Sequence, residues 1–247
     1  MSTKEQPSQR RSRSEQIADI LRDDILRGQY RAGERLPSER DLSSRFDASR
    51  GAVREAFKRL EQLGIATIQR GGARVVPIDH CTLDVLGPLL DLNDLPDAKL
   101  VDEVLQMVGT LMDMAARMAV EKATDDELEQ AQRIIDELLS HSDTSIGRHE
   151  HLRRLGSLFI DVADHLVLKL IANGLRTTFM TRMPRFGIQP RFDSDEFRGV
   201  AEQLRLALKA RSAPEVGVAM RALNRMIREG ARTELEAERI SEKRISA

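Results

Sequence analysis

The stretch from residue 36 to residue 76 constrains the fold more than any other part of this sequence. Ser38 and Ser49 each precede a short amphipathic segment, as expected of residues that cap the N-terminus of a helix. Two short apolar runs then flank Arg70-Gly71-Gly72, where glycine can take the positive φ that a tight turn needs. Two helices joined by a turn and followed by a hairpin predict a winged helix-turn-helix, with the helix-turn-helix at 38–57.

Charge is divided unevenly along the chain. Residues 1–77 hold 16 Lys or Arg and 11 Asp or Glu, a balance of +5, whereas residues 78–247 hold 23 and 29, a balance of −6. A basic module joined to an acidic body is expected of a DNA-binding head on an effector domain. Trp is absent and Tyr occurs once, so aromatic platforms for single-stranded nucleic acid are not expected.

The chain is expected to be cytoplasmic. Its single cysteine, Cys81, excludes an internal disulfide and suits a reducing compartment. The N-terminus lacks the apolar core of a signal peptide. No run of about 18 apolar residues is present to span a membrane.

Periodicity divides the chain into four segments. Residues 1–11 are polar and are predicted to be a disordered tail, the winged module occupies 12–77, and a linker broken by Gly and Pro occupies 78–97, with a short helix inside it. From 98 to 238 the pattern is helical, so the fold is mostly α, with an all-α bundle after the winged module. Helices are predicted at 14–27, 98–122, 125–140, 146–164, 166–183, 194–211 and 214–238, and a turn at 29–34.

Arginines lie where such a module would face DNA. Arg50 and Arg54 point away from the apolar stripe of the second helix of the pair, and arginine can bind guanine O6 and N7 through two hydrogen bonds. Arg40 is placed to contact the phosphate backbone, and Arg70 at the wing tip to enter a minor groove. The alternative is that Arg50 and Arg54 pair with acids such as Glu55 on a solvated face.

The stretch LPSERDLSSRFDASRGAVREAFKRLEQLGIATIQRGGARV resembles the N-terminal domain of the GntR family of bacterial regulators. That family carries L-P-S-E-R-x-L, then S-R-x-x-V-R-E-A-L, then a wing of the form G-x-G-x-x-V. This sequence departs at Phe57, where leucine is usual, and at Ala73, where threonine is usual. The resemblance covers 13–77 and implies a transcriptional repressor that binds a palindromic operator as a homodimer. It implies DNA contacts at Arg40, Ser49, Arg50, Gly51, Arg54, Arg70 and Gly71.

The helical body resembles the FadR-type, or FCD, effector domain of the same family. AARMAVEKAT at 115–124 and DHLVLKLIANGL at 164–175 are the matching stretches, within a match over about 98–232. The resemblance implies a helical bundle that encloses a ligand cavity and dimerises. Most members bind a divalent metal through one Asp and three His, together with an arginine that holds a carboxylate.

The one Asp and three His that bind the metal in the family are not all present in this sequence. The four ligand positions fall on His151, Leu155, Ala201 and Leu223, and the arginine position falls on Val108. A register through Asp161 and His165 would need later histidines, and none follows. No metal and no other cofactor is therefore expected.

Apolar side chains occupy three of the four metal-ligand positions and the arginine position. Val104, Met107 and Leu111 belong to a methionine-rich stripe on the first long helix, which is either bundle core or the lining of an apolar cavity. The resemblance to the fatty-acid regulator branch implies a long-chain acyl-CoA effector. A small organic acid, or no ligand, remains the alternative. The candidate cavity residues are Val104, Met107, Val108, Leu111, His151, Leu155, Ala201 and Leu223.

An enzyme that uses the helical body is the remote alternative. Its candidate groups are Asp161 with His165, and Cys81. The first pair lacks a third group and the cysteine lacks an evident base, so no enzymatic activity is expected.

Overall fold

The computed structural model describes residues 11–140, 145–186 and 193–245, without the side chains at 145–147 and 242–245. The predicted disordered tail lies outside these ranges except for Arg11. The chain divides into two compact units after Leu92. Residues 78–92 of the predicted linker therefore belong to the first unit, and 93–97 to the second.

The first unit is a winged helix-turn-helix, as predicted. Helix α1 spans Arg13–Leu26, α2 spans Glu39–Arg45 and α3 spans Arg50–Gln62, and strands β1 and β2 span Ala66–Gln69 and Gly72–Val75. Each helix begins after a serine whose hydroxyl accepts a backbone N–H, namely Ser12, Ser38 and Ser49. The spacing of capping serines and apolar positions thus defines all three helices.

One apolar core holds this unit together. Leu21 of α1, Leu42 of α2 and Leu60 of α3 are completely buried in it. Phe57, the departure from the family pattern, lies in the same core and is 3% exposed. The larger ring is therefore accommodated at this position without leaving the core.

The wing, residues 66–75, is a hairpin with a third extended segment beside it. Gln69 pairs with Gly72 at the tip. Residues 34–36 run along the outer side of β2, where Leu36 N–H donates to Ala73 O and Val75 N–H to Glu34 O, both at 2.9 Å. The sequence predicted a turn at 29–34 and no strand after it, because a segment of three residues shows no measurable alternation.

The segment after the wing packs onto the first unit. It forms two 3-10 turns, Ile78–His80 and Leu83–Val85, and the short helix α4, Leu86–Leu90. Val85 joins the apolar core, and the Arg27 guanidinium donates to the carbonyl of Leu92.

The second unit, called the helical unit below, is all-α throughout the described residues. Its helices are α5 Ala98–Lys122, α6 Asp125–Ser140, α7 Ser145–Ala163, α8 Leu166–Leu175, α9 Ser194–Lys209 and α10 Ala213–Ile245. The capping box predicted at Thr124 and Glu127 is present at the start of α6. None of the described helices combines the length and the apolar character that crossing a membrane requires.

Two helices differ from their predicted extents. The helix predicted at 166–183 ends at Leu175 and continues as a π-helical turn, Arg176–Met180, and a 3-10 turn, Met183–Phe186. The Thr177 and Thr178 hydroxyls donate back to the Gly174 carbonyl, which competes with the regular helical hydrogen bonds. Helix α10 continues past its predicted end at 238, since no Gly or Pro interrupts its last turns.

Helices α5 and α10 pack closely together. The Arg228 guanidinium donates to both carboxylate oxygens of Asp102 at 2.7 Å. About two turns further along α5, a Cβ built on Gly109 would lie 1.9 Å from Cγ of Asn224. Glycine is required there because Asn224 occupies the space of any side chain.

Candidate nucleic-acid interface

The N-terminal turn of α3 is exposed and capped. The Ser49 hydroxyl accepts the Ala52 N–H at 3.2 Å, and Ser49, Arg50 and Gly51 are all solvent-exposed. The opposite face of the helix is buried through Val53 and Phe57. The amphipathic pattern thus fixes which end and which side of α3 a DNA groove can reach.

Gly51 has no structural explanation within the protein. A Cβ at this position would meet only the Ser49 hydroxyl, at 3.8 Å, and its φ lies outside the left-handed region. Glycine in a helix costs about 0.5–1 kcal/mol relative to alanine. A residue with this cost and no packing role is what close approach of another molecule would require.

Arg54 is held in place by the preceding helix. Its Nε–H donates to the two carboxylate oxygens of Glu39 at 2.8 and 3.0 Å, and the side chain stays 65% exposed. The hydrogen bond from Arg54, with the charges of Arg54 and Arg50, lowers the pKa of Glu39. The acid considered from the sequence, Glu55, pairs instead with Lys58 at 2.9 Å. Sequence analysis missed Glu39 as a partner because it lies on another helix.

Arg40 lies on the exposed side of α2 and is 79% exposed. Its nearest acid is Asp41, at 3.9 Å, and the carboxylate of Asp41 is already engaged with the Ser38 hydroxyl at 2.6 Å. The Arg40 guanidinium is therefore available for a phosphate contact.

The wing carries Arg70 and Gly71 at its tip. Arg70 is exposed, and Gly71 has φ +102°, a backbone conformation that glycine adopts without strain. The wing is tied to α3, since the Glu61 carboxylate accepts the Ile68 N–H at 2.8 Å. Glu61 and Arg35, whose guanidinium lies against the wing glycines, were not singled out from the sequence.

The eight candidate cavity residues do not share one environment. Leu155, Ala201 and Leu223 are buried in the apolar core of the helical unit, Val104 is buried outside that cluster, and Val108 and Leu111 are partly buried. Met107 is 55% exposed, because it lies on the side of α5 away from the buried Leu105. His151 Nε2 lies 3.4 Å from a carboxylate oxygen of Glu137, which also binds Arg154. Met107 and His151 thus lie outside the buried core that holds Leu155, Ala201 and Leu223.

A small apolar cavity lies elsewhere in this unit. It measures about 10 Å³ and none of the eight candidates lines it. Its walls come from α5, α6, α7 and α9, through Ala119, Leu128, Phe159 and Leu208 among others. A site for a drug-sized ligand needs about 300–1,000 Å³, so this cavity holds no more than a water molecule.

The residues present do not fit the metal that FCD-type domains usually carry. Leu155, Ala201 and Leu223 have no ligand atoms in their side chains and lie in the apolar core. Among the described residues, no group of three or more His, Cys, Asp or Glu is arranged to hold a metal ion.

The groups considered for catalysis are engaged in structural contacts. His165 caps α8, with Nδ1 accepting the Leu168 N–H at 3.2 Å, and the Asp161 carboxylate lies 3.6 Å from Lys169. Burial, with a smaller contribution from Asp79, raises the pKa of the Cys81 thiol. A raised pKa makes Cys81 a poor nucleophile at neutral pH.

Comparison with known proteins agrees with this geometry. Residues 13–76 match the family described as bacterial regulatory proteins, gntR family. Over 178 residues the chain is 32% identical to the HTH-type transcriptional regulator Mce2R of Mycobacterium tuberculosis, covering 70% of this chain and 73% of that protein. The chain belongs to the GntR family. It is a DNA-binding transcriptional regulator, and the FadR-type subfamily fits its relatives.

Two further matches are shorter or more distant. The HTH-type transcriptional repressor NanR of Cronobacter sakazakii is 33% identical over 133 residues, which is 53% of this chain and 50% of NanR. A solved structure of Lar, described as controlling the expression of the Listeria monocytogenes agr system, covers 91% of this chain and 98% of its own. Its TM-score is 0.52 at 15% identity, which supports the shared fold.

Proposed function

We propose that this GntR-family regulator is a homodimeric repressor whose α3 reads a palindromic operator from the major groove. The observation that carries the proposal is the N-terminal turn of α3, where Arg50 is exposed beside the unexplained Gly51 and Glu39 holds Arg54 in place. Arg50 and Arg54 contact base edges, and Ser49 and Arg40 contact phosphates. Arg70 and Gly71 enter the adjacent minor groove from the wing.

An apolar surface on α8 supports self-association. Leu166, Val167 and Leu170 are 71%, 57% and 61% exposed, and Ile171 continues the same face one turn further. Contiguous exposed apolar side chains of this kind mark interaction surfaces. A second copy of the chain is the partner in the proposal, because a two-fold dimer presents two equivalent heads to a palindrome.

For the helical unit we propose a metal-free effector site, with a long-chain acyl-CoA as the first ligand to test. Three metal-ligand positions carry apolar side chains in the core, which supports an apolar ligand over a metal-bound carboxylate. Since the observed cavity is about 10 Å³, such a ligand enters only if the helices move apart. The small cavity favours the alternative of a regulator without a ligand, and a small organic acid is the remaining alternative.

Calorimetry of the full-length protein with palmitoyl-CoA and with a panel of short carboxylates separates these alternatives. Binding of palmitoyl-CoA alone supports the proposed effector, and binding of a short carboxylate alone replaces it. No heat with either, combined with operator binding that neither compound changes, supports the ligand-free regulator.

We also propose a cytoplasmic location and no enzymatic activity, in keeping with the structural contacts of His165 and the raised pKa of Cys81.

The DNA-reading role is tested on duplexes that the full-length protein selects from a random library. Arg50→Ala and Arg54→Ala should each weaken binding at least about fivefold, since a bidentate base contact contributes about 1–3 kcal/mol and about 1.4 kcal/mol is a factor of ten. Arg133→Ala is the matched control, because Arg133 is also an exposed arginine paired with a carboxylate, on α6. Unchanged affinity in both α3 variants would mean that another element reads the DNA.

A further inference from the structure

Arg35 lies on the third extended segment of the wing and covers the two glycines at its tip. A Cβ on Gly71 would lie 3.3 Å from Nη2 of Arg35, and one on Gly72 would lie 3.2 Å from Nε. Gly71 and Gly72 have φ of +102° and +129°. The glycines therefore provide both the turn and a flat surface on which the guanidinium rests.

The arrangement places like charges side by side. Arg35 pairs directly with Arg74 across the extended segments, so their side chains leave the same face of the sheet. Arg70 adds a third arginine at the tip, and all three are exposed. Like charges directly opposite each other destabilise a sheet, so the protein alone gains nothing from this placement.

These three arginines differ from four other arginines of the first unit. Arg22, Arg45, Arg54 and Arg59 each bind a carboxylate, at distances from 2.7 to 3.2 Å. Within the part of the chain that the structure describes, no carboxylate lies within ion-pair distance of the wing arginines. The Arg74 guanidinium donates to the carbonyl of Gly33 at 2.9 Å, which fixes its position without neutralising its charge. The wing therefore presents concentrated positive charge that only an external anion neutralises.

We propose that Arg35 is a DNA-contacting residue of the wing, which binds the phosphates that border the minor groove entered by Arg70. This inference rests on the proposed DNA-reading role and extends it to a residue of the segment before the helix-turn-helix. With its plane against the glycines, the guanidinium leaves its N–H edge free to donate two hydrogen bonds to one phosphate. A phosphate contact carries no base preference, so Arg35 contributes affinity and not sequence choice.

The test measures fluorescence anisotropy with full-length protein on two duplexes, one selected by the wild type and one of random sequence, between about 50 and 200 mM NaCl. Arg35→Ala should weaken binding to both duplexes by the same factor, about tenfold near 150 mM NaCl. The slope of log Kd against log salt should fall by about one per bound head. Arg35→Gln, which keeps a long polar side chain, should show the same loss, and Arg35→Lys should retain the slope. Lys99→Ala removes an 85% exposed cation from α5 and should change neither quantity.

Thermal unfolding of the same variants distinguishes a phosphate contact from a structural role. Removing Arg35 relieves its repulsion with Arg74, so the Tm of Arg35→Ala should equal or exceed that of the wild type. A lower Tm, with binding lost only on the selected duplex and an unchanged salt slope, would assign Arg35 to holding the wing and overturn the proposal. If Arg50→Ala loses binding while Arg35→Ala and Arg35→Gln keep both affinity and slope, this inference fails and the proposed function stands. If the wild type selects no sequence, both fail.

Discussion

Replacing Gly51 by alanine should move stability and DNA binding in opposite directions. Gly51 lies in the first turn of α3, and an added Cβ would meet only the Ser49 hydroxyl, at 3.8 Å. Because the methyl group creates no clash and alanine favours the helix, the free energy of unfolding should rise by up to about 1 kcal/mol. The gain will be smaller than in a helix centre, since the first turn is less ordered.

The same methyl group should weaken DNA binding. If the DNA backbone or a base edge approaches the bare Cα of Gly51, the methyl occupies space that the complex needs. Overpacking of a close contact costs about 1–3 kcal/mol. At about 1.4 kcal/mol per factor of ten, the Kd for the selected duplex should rise between about fivefold and more than a hundredfold.

Gly199→Ala is the matched control for this experiment. Gly199 lies on the exposed side of α9, where a Cβ would meet no atom within 4 Å. The control should show an equal or larger gain in urea unfolding followed by circular dichroism, because Gly199 lies inside α9, with unchanged anisotropy on the selected duplex. Wild-type affinity in Gly51→Ala would refute close approach of DNA at this turn. A loss of stability would refute the interpretation of the Gly51 backbone.

Three further predictions concern particular contacts. Because Arg54 lowers the pKa of Glu39 below its ordinary 4.5, this pair stabilises the native state fully above that pH and loses its effect as the pH falls through the lowered pKa. In urea titrations Glu39→Gln should therefore be less stable than wild type at neutral pH, and the difference should shrink steadily as the pH falls below 4.5. A difference that stays constant over this acid range would exclude the linkage. Gly109→Ala should lower the free energy of unfolding by about 1–3 kcal/mol in the same assay. Asn224→Ala in that background should recover part of the loss. If the effects of the two substitutions on the free energy of unfolding simply add, the two residues do not compete for space. Leu170→Glu on the apolar face of α8 should convert the proposed dimer to a monomer in sedimentation velocity. Leu206→Glu, at a comparably exposed leucine on α9, should leave the dimer intact. A wild-type protein that is monomeric at micromolar concentration would refute the dimer.

Local patterns were sufficient to predict the helices of both units. Serine caps and apolar spacing place α2 and α3, and the predicted bounds of α5 and α6 match the structure because Asp97 and Thr124 cap them. These features depend on residues within one turn of each other. Sequence alone suffices wherever the controlling contact is local.

Contacts between residues that are distant in the sequence could not be predicted from the sequence. The partner of Arg54 is Glu39, from the previous helix, and Arg35 reaches Gly72 from a segment that precedes the helix-turn-helix. Neither pairing has a spacing that periodicity detects. The methionine-rich stripe on α5 left two interpretations open for the same reason, since its pattern gives the face of the helix but not what packs against it.

Glycines illustrate how a structure separates the fold from the function. Gly109 is explained by Asn224, which fills the space of its missing side chain, and Gly72 is explained by its φ and by Arg35. Gly51 and Gly199 are explained by neither, since a Cβ at either position meets open space. Openness alone therefore does not mark a binding surface. At Gly51 the second observation is its place in the first turn of α3, with Arg50 exposed and Arg54 held by Glu39 of the preceding helix, whereas Gly199 lies inside α9, where Arg205 pairs with Glu202 of the same helix. A glycine without an internal cause, in the first turn of the second helix of the helix-turn-helix and beside an exposed arginine, is the combination on which the proposed DNA contact at the start of α3 rests.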